Sequence, residues 1–89
     1  MRAIVTVIGK DKVGIIAAVT AIMAETGSNI LDINQTVMQD FFTMITLVDI
    51  EKLNIPFAQL KDRLNGLGES MGLSIRIQRE EIFTAMHRI

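Results

Sequence analysis

The sequence predicts an α+β sandwich in which a four-stranded antiparallel sheet carries two helices on one face. Three observations predict it. Four segments are β-branched or alternate apolar with polar residues. Two segments between them repeat apolar residues at helical spacing. The six follow one another as β-α-β-β-α-β, with no linker, repeat or low-complexity stretch.

Residues 3–8 are apolar and largely β-branched and end at Gly9, which reads as a buried strand. Residues 9–14, Gly-Lys-Asp-Lys-Val-Gly, read as a loop. From Ile15 the period changes: Ile15, Ile16, Val19, Ile22 and Met23 recur at helical spacing, interleaved with alanine, the best helix former. Gly27 is the expected helix stop. A strand follows over 30–38, with Leu31, Ile33 and Val37 on one face and Asp32, Asn34 and Thr36 on the other. Gln39-Asp40 is the expected turn before a third strand over 42–50. Asn54 then reads as a helix N-cap with Pro56 in the first turn. Phe57, Leu60, Leu64, Leu67 and Met71 form the stripe of the second helix, which Gly66 and Gly68 are expected to end early. Residues 73–79 alternate cleanly, with Leu73, Ile75 and Ile77 on one face. The tail, 80–89, carries Ile82, Phe83, Met86 and Ile89 at helical spacing and reads as a short amphipathic helix.

Right-handed crossovers then place both helices on one side of the sheet, which is the ferredoxin-like fold. The other sheet face is expected to hold Ile4, Thr6, Ile8, Asn34, Thr36, Arg76 and Gln78. Part of that face is apolar, so the tail helix or a second subunit is expected to cover it.

Composition removes many functions. The chain has 89 residues, 9 Lys+Arg against 10 Asp+Glu, no cysteine, one histidine, no Trp or Tyr and four Phe. A charge of −1 is no footprint for nucleic acid. The absence of cysteine excludes disulfides, thiolate metal sites and a cysteine nucleophile. The lone His87 cannot build a multi-histidine zinc site and reads as a solvent-exposed side chain. No metal or cofactor is expected. No apolar run reaches the roughly 18 residues of a membrane span, and no signal peptide is visible, so a cytoplasmic protein is expected. Hydrophobic residues make up 49% of a very small chain, and whole periodic segments carry the excess, which points to a subunit interface. Glu80 and Glu81 suit the start of a helix rather than a catalytic pair, and no Ser-His-Asp arrangement exists. An acylphosphatase-type hydrolase is the enzyme alternative. It needs an arginine in the first loop, where this chain has Lys10 and Lys12, and only Asn29 and Asn34 could help position water.

The loop before the first helix is the strongest candidate site. A helix start carries unpaired N–H groups and partial positive charge, which favour a carboxylate. Gly14 lets backbone approach a ligand. Asn29 offers a donor and an acceptor for an amino acid, and Asp11 could hold its ammonium. Bland readings stand beside these: Asp11 as a turn or cap residue, Gly14 as a tight helix entry, Asn29 as a left-handed residue after Gly27.

The run Gly9-Lys10-Asp11-Lys12-Val13-Gly14-Ile15-Ile16-Ala17-Ala18-Val19, followed by Gly27-Ser28-Asn29-Ile30-Leu31-Asp32-Ile33 and a second β-α-β half, resembles the ACT domain. The resemblance covers about residues 2–79 and leaves the tail helix outside. The nearest likeness is to small stand-alone ACT proteins, which are also similar to the halves of the glycine cleavage system repressor. It implies a regulatory module that senses a small molecule, usually an amino acid, at the interface of a homodimer and reports to an enzyme or transcription regulator. It marks Asp11, Val13, Gly14, Ile15, Asn29 and Ile30 as ligand-binding. In amino-acid-binding members an amide often stands at the place of Asp11, and proline usually stands where Val13 is. An aspartate suits an ammonium rather than a carboxylate. A protein-interaction module without a small ligand is the other alternative.

Overall fold

The β-branched N-terminal run forms β1, Arg2–Lys10, in the middle of the sheet, where both of its edges are paired. The remaining elements are α1 (Ile15–Glu25), β2 (Asn29–Met38), β3 (Phe41–Asp49), α2 (Phe57–Met71) and β4 (Ser74–Arg79). The structure is a computed structural model that describes residues 1–10 and 13–81. The sheet is antiparallel throughout, in the order β2-β3-β1-β4. This is the expected ferredoxin-like βαββαβ sandwich. The tail-helix expectation, with Ile82, Phe83, Met86, His87 and Ile89, lies outside the described residues, as does Asp11; Glu80 and Glu81 are helical.

The core lies between the sheet and the helices. Ala3, Val5 and Val7 of β1 meet Met44 and Val48 of β3, Val19 and Met23 of α1, and Leu60 and Leu64 of α2, all fully or almost fully buried. Ile75 and Ile77 close it from β4. The opposite sheet face holds the expected residues: Ile4 pairs with Leu47 and Gln78, Thr6 with Ile45 and Arg76, Ile8 with Thr43 and Ser74. Asn34 and Thr36 join it opposite Ile45 and Thr43.

Five expectations need correction. A bulge between Ile30 and Asp32 takes Leu31 out of register, so Ile30, Ile33 and Val37 share the helix-facing side, opposite Val48, Thr46 and Phe42. Asn54 does not cap α2, whose N-cap is Pro56 with no side-chain hydrogen bond. Instead the Asn54 amide Nδ2 donates to Glu25 O and its backbone N–H to Thr26 O, both at 2.9 Å, stitching the β3–α2 connection to the end of α1. Nor does α2 stop early. It runs to Met71 because Gly68 is buried where β4 crosses it; a Cβ there would stand 2.7 Å from Leu73 O. Strand β1 also continues through Gly9 and Lys10, paired with Phe42 and Phe41, which shortens the loop before α1. Its partner β3 is Phe41–Asp49 rather than 42–50, with the Ile50 N–H bonding Met1 O, opposite it, just past the strand's end.

Candidate functional site

The entry to α1 follows from two backbone facts. Gly14 occupies the N-cap at φ 89°, a left-handed conformation that costs a residue with a Cβ about 1–2 kcal/mol. Among the described residues no side chain caps the helix. The first N–H with a helical partner is that of Ala18, which bonds Gly14 O at 2.9 Å. The N–H groups of Ile15, Ile16 and Ala17 therefore open the helix at its positive end with no side-chain acceptor among the described residues. Val13 beside them is completely exposed, and Ile16 is partly exposed. Ile15 points the other way: its side chain is buried in the core, so only its backbone could meet a ligand.

Asn29 and Ile30 open β2. Asn29 is exposed and extended, since the positive φ that follows α1 belongs to Gly27 at 76°. The left-handed reading of Asn29 is thereby excluded. Ile30 packs against the core. Asn29 pairs with Asp49, which pairs with Arg2, so it sits level with the start of β1. Gly14 follows the far end of β1. Within one chain the two halves of the candidate site stand at opposite ends of the sheet, separated by α1, whose 11 residues span about 16 Å. The same separation keeps Lys10 away from Asn29.

A cleft that sequence reasoning missed lies beside Asn29. It has a volume of about 380 Å³ and is lined by Gly27, Asn29, Asp49, Glu51 and Lys52. The Asp49 carboxylate accepts the Glu51 N–H at 2.9 Å and stands 3.9 Å from the chain's amino terminus. The signal for it was the β2–β3 register, which sets Asp49 opposite Asn29. Among the described residues no three His, Asp or Glu side chains gather to hold a metal, and no helix is long and apolar enough to cross a membrane.

Fold and site together define a class: a small ferredoxin-like α+β domain in which a left-handed glycine feeds the first helix. The sequence profile of the ACT domain matches residues 2–78, and the chain belongs to the ACT domain family. A UPF0237 protein of Clostridium acetobutylicum is 54% identical over 89 residues, covering 100% of both chains. The solved structure of an ACT domain protein from Streptococcus pneumoniae superposes with a TM-score of 0.80 at 42% identity, covering 93% of each chain. A candidate glycine cleavage system transcriptional repressor shares the fold, with a TM-score of 0.74 at 22% identity over 88% of this chain and 44% of that one.

Proposed function

We propose that the protein is a cytoplasmic regulatory module that works as a homodimer and holds an amino acid between its two copies. One copy supplies Asp11, Val13, Gly14 and the Ile15 N–H, and the other supplies Asn29 and Ile30. The observation that carries this reading is the outer edge of β2, which no other strand pairs among the described residues, combined with the separation of Gly14 from Asn29. If two β2 strands pair antiparallel about a two-fold axis over their full length, Asn29 of one copy comes level with Met38 of the other. Met38 pairs with Phe41, which pairs with Lys10, the residue at the end of β1 just before the Gly14 loop. The pairing thus brings together what one chain holds apart. Membership of the ACT family supports the reading, as does the exposed apolar side of β2.

The chemistry suits a zwitterion. Unpaired N–H groups at the α1 start favour the carboxylate. The Asn29 amide can donate to the carboxylate or accept from the ammonium, and Asp11 suits the ammonium. The ligand acts by preferring one dimer geometry over another, and a regulated enzyme or transcription regulator reads the difference. No catalytic step is assigned.

Isothermal calorimetry against the twenty amino acids tests the reading. We expect one of them to bind, and Asn29→Ala to weaken it about 10–100-fold, the effect of losing a hydrogen bond to a charged group. Silence for all twenty would overturn it.

A further inference from the structure

Gln39 is the one residue other than glycine with a positive φ among the described residues, at 57°. It opens the two-residue turn, Gln39–Asp40, that joins the paired Met38 and Phe41. Glycine suits this place in such a turn, because a Cβ is strained there. Glutamine holds it instead. Its side chain is exposed, and its amide has no hydrogen-bond partner among the described residues. Met38 and Phe41 beside it are 71% and 55% exposed. A strained polar residue framed by exposed apolar ones marks a contact surface.

We infer that this turn seats in the cleft beside Asn29 of a second copy. The inference rests on the β2 pairing proposed above and gives that cleft an occupant. Register sets the meeting. With Asn29 of one copy level with Met38 of the other, the next two steps bring Gln39 to Ser28 and Asp40 to Gly27. Gly27 and Asn29 line the cleft, together with Asp49, Glu51 and Lys52. Within one chain the turn and the cleft cannot meet, since the ten residues of β2 hold them about 33 Å apart.

The groups are complementary. The Gln39 amide brings two N–H donors. The Asp49 carboxylate uses one oxygen for the Glu51 N–H at 2.9 Å, and its other oxygen is open among the described residues. Lys52 is the one cation among the described lining residues and has no ion-pair partner there. Gln39 thus faces Asp49, and Asp40 faces Lys52. The turn belongs to the copy whose Gly14 loop meets the same Asn29, because Phe41 pairs with Lys10.

The chain has no cysteine, so Asp40→Cys with Lys52→Cys introduces a defined pair into the full-length protein. On mild oxidation we expect a covalent dimer on a non-reducing gel, and none from either single variant alone. Gln39→Gly, which a φ of 57° accepts, should leave the circular dichroism unchanged. By analytical ultracentrifugation it should raise the dimer dissociation constant about 10–100-fold, the effect of losing a hydrogen bond to a charged group. Gln39→Asn keeps the amide and should lose less. A parent protein that sediments as a monomer would overturn the β2 pairing and this contact with it. A dimeric parent would overturn the contact alone if its double-cysteine variant stays uncrosslinked, or if Gln39→Gly leaves its dissociation constant unmoved.

Discussion

Gly14 and Gly27 both adopt positive φ, at 89° and 76°, yet alanine should affect them very differently. At Gly14 an added Cβ meets nothing within 4 Å among the described residues, so the left-handed penalty applies, about 1–2 kcal/mol. At Gly27 the same penalty applies, and the Cβ would also stand 2.5 Å from Lys52 O, a backbone atom that must retreat. Lys52 belongs to the connection that Asn54 ties to α1 through two bonds of 2.9 Å. Displacing it loosens both, at about 1 kcal/mol each. Gly27→Ala should therefore cost about 3–4 kcal/mol. For a domain of this size each kcal/mol lowers Tm by about 4–8 °C. Thermal unfolding followed by circular dichroism should show Gly14→Ala falling by about 4–16 °C and Gly27→Ala by about 12 °C or more, or failing to fold. Adding Asn54→Ala to Gly27→Ala should then cost little, because its bonds are already loosened. A Gly27→Ala protein that melts no lower than Gly14→Ala would refute the reasoning.

Three further outcomes follow from particular contacts. Thr46 is buried on the core side of β3, and its hydroxyl finds no partner among the described residues, so Thr46→Val should raise stability by about 1 kcal/mol in a urea melt. Asn54→Ala alone removes the side-chain bond to Glu25 O and should lower it by about 1 kcal/mol in the same assay. Ile33→Lys with Val37→Lys places two charges on exposed positions of β2 and should leave the circular dichroism unchanged while light scattering reports a monomer.

The element order was readable because periodicity reports burial directly. The alternation of Leu73, Ile75 and Ile77 and the stripe from Phe57 to Met71 both became core. What was hidden depends on contacts between distant segments. Propensity makes Gly68 a helix breaker, but its position under Leu73 makes it a packing requirement. Asn54 has the chemistry of a cap and is spent on the end of a different helix. The alternation over 31–37 missed the bulge because a bulge changes register without changing composition. In the candidate site, the glycine and the strand-opening asparagine were visible as residue types. Their placement at opposite ends of the sheet became plain only once the register was known, and Asp49 was invisible for the same reason.

The sheet has two edges, and they are not equivalent. Strand β4 has six residues, two of them arginine, and α2 packs closely against it, with Gly68 beneath Leu73 and Ile75. Short length, charge and a covering helix all discourage a further strand from adding there. Strand β2 has ten residues, one of them charged, and its side chains are exposed along nearly its whole length. Ile33 and Val37 face the helix layer but lie beyond its cover. An edge this long with apolar residues on it is what an isolated domain ordinarily avoids, so its presence favours a partner strand. The strand best suited to it is β2 of a second copy, since antiparallel pairing then sets Ile33 and Val37 of both copies on the same side of one continuous sheet. The features that make the edge of β2 unsatisfactory in a single chain are the ones that would bring Asn29 beside the open start of its partner's first helix.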